Sequence, residues 1–323
     1  MRFSAILLFF TCAVFTMCRA SGKDGFLYVI YGNEEMPPSY LIGSQHGDGN
    51  SYNIHDLESA FPSLQAVFAS INLIVTETSR NYSDTKVIED CVNAAELRYT
   101  CNNPNILNSM PKGTDYKGVL RNNVKYEEID NFLKNKGGTY GYAAFKPAYW
   151  YLRLPLFSYK YGADMISVDD CLYKFARAQN KKATSLESHV EQMQSIVSIL
   201  NDTIEYMRPL CEQANILYEK IVESQRSIIN QVWASDSMKF YYLHNNKEKL
   251  YHYLPHLKDS VIYKYSVSQR NEKWGAIIEK LIRNEPCLIV VGVAHLYGYD
   301  SLVEILRRKG LKLIPIQRLP VSP

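Results

Sequence analysis

The chain has no Cys-x-x-Cys pair, no block of basic residues and, past its first twenty positions, no apolar run long enough to cross a bilayer. The first absence excludes a structural zinc ribbon, which needs paired cysteines at short spacing. The second removes nucleic acid and anionic membrane surfaces as expected partners, since both are recognised through clustered positive charge. The third leaves no transmembrane segment in the main part of the chain. Charge is close to balanced: 36 Lys and Arg face 33 Asp and Glu. Arg2 and Arg19 lie in the first twenty residues, which carry no acid, so the remainder holds 34 basic against 33 acidic residues.

Those twenty residues read as a leader. Arg2 gives the positive start, Ala5 to Met17 is almost continuously apolar, and Cys18-Arg19-Ala20 presents small residues at the positions signal peptidase inspects. Cleavage near Ala20, and export, are expected. Cys18 invites a lipoprotein reading, but Phe15-Thr16-Met17 before it does not make a lipobox. Cys12 and Cys18 leave with the leader, so Cys91, Cys101, Cys171, Cys211 and Cys287 remain, an odd number that cannot all pair within the chain. Cys91 and Cys101, in a polar Asn-rich stretch, are the expected disulfide. Cys287 opens an apolar strand and is expected as a buried thiol.

The roughly 300 residues that follow suffice for one α/β domain with an insertion. Phe26 to Tyr31 and Ser39 to Ile42 read as adjacent strands, Asp56 to Ser70 as a helix, and Ile71 to Thr76 as a strand closed by Glu77. From Asn81 to Gly138 the pattern is polar and yields no clear elements, and Tyr149-Trp150-Tyr151-Leu152 reads as core packing. Leu186, Val190, Met193, Val197, Leu200, Ile204 and Met207 recur at helical steps, Pro209 interrupts them, and a second stripe follows through Leu217, Ile221, Ile228 and Val232. Residues of about 185–235 thus read as a helical insertion. Leu288–Val291, Ser301–Lys309 and Lys312–Ile316 form a β-α-β unit, for which parallel neighbours and a right-handed crossover are expected. The expected fold is α/β, with a central mostly parallel sheet flanked by helices.

One phrase occurs twice. Tyr40-Leu41-Ile42-Gly43-Ser44-Gln45-His46 and Leu288-Ile289-Val290-Val291-Gly292-Val293-Ala294-His295 are each an apolar strand closed by Gly-x-x-His. Glycine three residues before the histidine lets the backbone turn or pass close to another group. In an open α/β sheet, ligands bind beyond the carboxyl ends of the strands, where both histidines fall. Two imidazoles there could share one metal ion, with Glu77 as ligand or general base. Each histidine could instead be a structural residue, and Glu77 a cap or salt-bridge partner. His252 and His256 have helical ligand spacing, but Pro255 between them argues against a helix. His55 and His189 read as solvated or hydrogen-bonded.

The ordered motifs resemble the TraB/GumN family, related to the TIKI metalloproteases and more distantly to erythromycin-esterase-like and ChaN-like proteins. The likeness runs from Ser39–His46 through Ile74-Val75-Thr76-Glu77, Leu186-Glu187-Ser188 with Glu191-Gln192-Met193, and Arg270-Asn271 with Trp274, to Val291–Gly298 and Leu306–Gly310. Ser44-Gln45 and Tyr297 depart from its usual pattern. The resemblance implies a metal-dependent peptidase, with His46, Glu77 and His295 around a divalent ion such as manganese, cobalt or zinc. Arg270 would stabilise developing negative charge, and Glu187 would act as a supporting group or general base. The residue types alone leave Arg270 open as a surface ion-pair partner and Glu187 as an acid favoured at a helix start.

The expectation is therefore an exported metal-dependent hydrolase acting on a peptide or small molecule. The alternative is a non-catalytic member that sequesters peptide, metal or haem. Because imidazole must be neutral to ligate, occupancy is expected to fall as pH drops through about 6.5, the ordinary histidine value.

Overall fold

The short apolar runs pair into one sheet. A computed structural model of the chain describes residues 25–32, 37–45, 50–99, 109–137, 142–151, 166–202, 208–226, 228–254 and 260–316. Among these, six strands occur: β1 (Leu27–Tyr31), β2 (Ser39–Ser44), β3 (Leu73–Thr76), β4 (Lys182–Ser185), β5 (Cys287–Gly292) and β6 (Lys312–Pro315). Their order across the sheet is β4-β3-β5-β2-β1-β6. The four strands from β4 to β2 are parallel, while β1 runs antiparallel to both its neighbours. The fold is α/β with a mostly parallel sheet flanked by helices.

Why the central strands read as unbroken apolar runs is clear from their two faces. Successive side chains in a strand point to opposite sides, and a sheet covered on both must be apolar throughout. On one side Leu27, Val29, Ile42, Ile74, Leu288 and Val290 join a core with Leu57, Leu64, Phe68, Leu172 and Tyr242. On the other, Tyr28, Ile30, Leu41, Val75, Ile289 and Val291 pack with Trp274, Ile278, Leu302 and Leu306.

Several expectations are corrected. The helix expected over Asp56 to Ser70 is two helices, Ile54–Ala60 and Leu64–Ser70, divided around Pro62, whose ring and missing N–H break the ladder. Leu186 does not begin the long stripe. It follows β4, and the helix starts at His189 and runs to Asp202. The closing β-α-β unit has parallel strands, but they are not neighbours: β2 and β1 lie between β5 and β6. β6 instead pairs with β1, because the β1–β2 hairpin takes the place beside β5.

The unreadable stretch and the second helical stripe share a separate core. Tyr116, Leu120, Ile129, Phe132, Leu133, Tyr142, Tyr149 and Trp150 pack against Ala214, Leu217 and Ile221 of the helix Leu210–Arg226. Tyr149 and Trp150 are thus core residues, as expected. Among the described residues, no helix is long and apolar enough to cross a membrane.

Cys91 is a free thiol on the helix Thr85–Tyr99, and Cys101, its expected disulfide partner, lies outside the described residues. Cys287 is a buried thiol, and burial pushes its pKa up to about 12. The leader, His46, Cys101, Leu152, Ile204, Met207 and His256 lie outside the described residues.

Candidate active site at the strand ends

The carboxyl ends of the parallel strands collect the chemistry. Glu187 follows β4 by two residues, Glu77 directly follows β3, and His295 lies three residues beyond β5 in a single 3-10 turn, Val293–Leu296. β2 is next in the sheet and leads in sequence towards His46, which is outside the described residues. Backbone bonds keep the first two in step: Leu186 N donates to Thr76 O at 2.9 Å and Glu187 N to Glu77 O at 3.0 Å.

Arg270 ties these strand ends together. A π turn, Lys264–Ser268, leads into the helix Gln269–Ile282, and Arg270 sits in its first turn. Its Nη2 donates to Glu77 Oε2 and Glu187 Oε1, each at 2.7 Å, while Nε donates to Glu187 Oε2 at 3.3 Å. Nη1 reaches Ser266 O at 3.0 Å and lies 3.4 Å from His295 Nε2. The guanidinium also lies over the Trp274 ring, 4.4 Å from its centroid. Arg270 is thus a buried ion-pair partner, not a surface one, and the Glu187 carboxylate faces it. At the start of the helix His189–Asp202 the backbone N–H groups of Ser188, His189 and Val190 donate instead to the carboxylates of Glu191 and Asp90.

The electrostatics follow from burial and from a shortage of positive charge. Two carboxylates share one guanidinium. Burial raises the pKa of Glu187, with Arg270 opposing the rise. Burial alone would lower that of Arg270, but Glu77 and Glu187 outweigh it and the net shift is upward.

His295 is buried between three groups. Its Nδ1 lies 2.6 Å from Asn271 Oδ1, its Nε2 lies 3.6 Å from Glu77 Oε1, and Trp274 packs against the ring at 4.5 Å between centroids. Glu77 Oε1 also accepts the Gly292 N–H at 2.6 Å, so the glycine of the second phrase contacts the site acid through its backbone. The glycine of the first phrase makes room. A Cβ on Gly43 would lie 2.5 Å from Leu296 Cδ1 and 3.3 Å from Val293 Cα, both in the turn that carries His295.

Sequence reasoning missed Asp169 and gave Asn271 no role. Asp169 is buried at the start of the helix Val168–Ala178 and accepts from Ser44 Oγ at 2.9 Å. Val168 N donates to Gln45 O at 3.3 Å, so this helix start grips the end of β2. Its only signal is Ser167 followed by two acids, which reads as an ordinary helix cap. Of the remaining histidines, His189 Nε2 lies 3.0 Å from Ser79 O, His55 is exposed beside Glu58, and His252 ends a short helix. A cleft of about 900 Å³, bordered by Lys247, Tyr251 and His252, runs along Leu296 and Tyr297.

The profile of the TraB/PrgY/gumN family matches residues 26–315. The chain belongs to that family. No curated protein and no solved structure matches it. The matched TraB/PrgY/gumN span begins one residue before β1 and ends with the last residue of β6, so the family unit is the whole sheet with everything it encloses.

A divalent ion can be tested against the donors at hand. Two ligands on one tetrahedral ion, at ~2.1 Å each, stand about 3.4 Å apart. His295 Nε2 and Glu77 Oε1 are 3.6 Å apart, so this pair fits one edge of such a site. Among the described residues there is no group of three or more His, Cys, Asp and Glu arranged to hold a metal.

Proposed function

We propose that this TraB/PrgY/gumN member is an exported metal-dependent hydrolase acting on a peptide or small-molecule amide or ester. The observation that carries the reading is the buried His295–Glu77 pair, set 3.6 Å apart at the ends of adjacent strands. His295, Glu77 and His46 would hold the ion. When bound, a divalent metal brings the pKa of a coordinated water towards neutrality and so supplies hydroxide at ordinary pH.

The chain's own residues supply the rest. Gly292 N–H and Arg270 hold the Glu77 carboxylate from its two oxygens, which fixes its plane relative to His295. Glu187 grips Arg270 through a fork of two bonds, the geometry that suits a guanidinium and a carboxylate. Glu187 is therefore a positioning residue, and Arg270 is the group that meets negative charge as it develops on a substrate oxygen. Burial strengthens that interaction, because water is not there to screen it.

A second reading has its own support: Arg270 bridges Glu77 and Glu187 directly, which satisfies both acids with a cation from the chain itself. A non-catalytic binding or regulatory protein would need no more than that.

Metal analysis of the purified protein, beside peptide and ester hydrolysis with added manganese, cobalt or zinc, separates the readings. Hydrolysis that depends on metal and is lost in His46→Ala and Glu77→Gln is expected. Metal binding without turnover favours the binding protein. A wild type without metal, matched in behaviour by both folded variants, would remove the site altogether.

A further inference from the structure

The bond between Asn271 and His295 determines which imidazole nitrogen is available. Asn271 is completely buried on the helix Gln269–Ile282. Its Nδ2 donates to Asp300 O at 2.7 Å and lies 3.4 Å from His295 O. Carbonyl oxygens only accept, so the amide cannot be turned the other way without facing oxygen against oxygen. Oδ1 must therefore point at the imidazole, 2.6 Å from Nδ1. An amide oxygen is also acceptor only, so Nδ1 must carry the proton. The neutral ring then presents a lone pair at Nε2, on the side of Glu77 Oε1 and the Arg270 Nη1 donor.

We infer that Asn271 is a positioning residue that sets His295 in the Nδ1–H tautomer, with its Nε2 lone pair turned into the site. The role of that lone pair rests on the hydrolase reading above, whereas the tautomer does not. The amide suits the task in a way a carboxylate does not: it accepts the Nδ1 proton without adding a third negative charge beside Glu77 and Glu187. Trp274, one turn further along the same helix, closes one face of the ring, so position and tautomer both come from a single element.

Two-bond proton–nitrogen NMR of the metal-free full chain, labelled with nitrogen-15 in histidine, reads the tautomer directly. His295→Gln identifies the signal by its loss. The wild type is expected to show a protonated Nδ1 and an unprotonated Nε2. Asn271→Ala should lose that pattern. Asn271→Asp, which keeps an oxygen for Nδ1 but loses the donor to Asp300 O, should keep Nδ1 protonated. A role limited to the carbonyl bonds would make the two variants behave alike. Calorimetric affinity for manganese or zinc should fall about 10–100-fold in Asn271→Ala. An unprotonated Nδ1 in the wild type, or an unchanged pattern in Asn271→Ala, overturns the inference, and the wild-type spectrum decides even if that variant does not fold. A wild type with the expected tautomer that binds no metal leaves Asn271 in place and removes the hydrolase reading instead.

Discussion

Replacing Arg270 with methionine keeps a long side chain over Trp274 and removes the charge between two buried acids. Glu77 and Glu187 each lose a bond of 2.7 Å, and Glu187 loses a second at 3.3 Å. Breaking a buried ion pair from one side costs about 3–5 kcal/mol, because the remaining charge is left without compensation. Against a total stability of about 5–15 kcal/mol, the variant should fold but unfold at a temperature lower by roughly 6–20 °C. The pH dependence identifies the cause. Burial already raises Glu187, and Arg270 is the largest force opposing it. Without Arg270 the folded pKa rises further above its unfolded value. An acid raised in this way favours the folded state below the unfolded pKa and loses that contribution as pH climbs through the folded one. The stability gap between wild type and Arg270→Met should therefore be smallest near pH 4, below the ordinary glutamate value of about 4.3, and widest at neutral pH. Urea unfolding from pH 4 to 8 measures it. Adding Glu187→Gln to the variant should restore stability, by about 0.5–3 kcal/mol of coupling. A gap independent of pH, or a double variant weaker than Arg270→Met, would refute the assignment of charge to this triad.

Gly43→Ala should destabilise by about 1–3 kcal/mol, since its Cβ would meet Leu296 and the backbone of Val293; a denaturation midpoint equal to wild type would show that the turn yields freely. Trp150→Ala should cost about 3–5 kcal/mol, because Trp150 is buried in the second helical core and its Nε1 donates to Tyr142 O at 3.0 Å. Thermal unfolding checks this, and a loss under 1 kcal/mol would count against a packed core there. With a thiol reagent at pH 8, exposed Cys211 should react in the native protein, while Cys287 and Cys171, pushed up to about 12 and about 11 by burial, should react only on unfolding. Fast native labelling of Cys287 would contradict its place in the sheet.

What could be read from sequence depended on how each element is stabilised. β2, β3 and β5 are buried on both faces, so apolar composition alone marked them, and the glycine and acid at their ends marked the site. β4 gave no such signal. Lys182-Ala183-Thr184-Ser185 is largely exposed and is a strand because β3 offers it a parallel edge. Strand neighbours were equally hidden: the alternation of Leu288–Ile316 fixes direction, but only the β1–β2 hairpin determines what stands between. Asn271 and Asp169 act through hydrogen bonds to residues distant in sequence, and no periodicity records such bonds. Arg270 lay in a motif, yet its two partners, 193 and 83 residues away, appear only once the strands are side by side.

The place of β5 between β3 and β2 has a consequence for how the protein is made. Residues 287–292 are among the last described strand residues to be synthesised, yet they occupy the middle of the sheet. Until they emerge, β2 and β3 have no shared neighbour, and Glu77 has neither Gly292 nor His295 beside it. Such non-local pairing makes folding slow, because long loops must close before their contacts form. A nascent or truncated chain that stops short of β5 therefore carries the site's acids without their assembly. The end of the sheet that carries Glu77 and Glu187 is completed late, when β5 is inserted between β3 and β2.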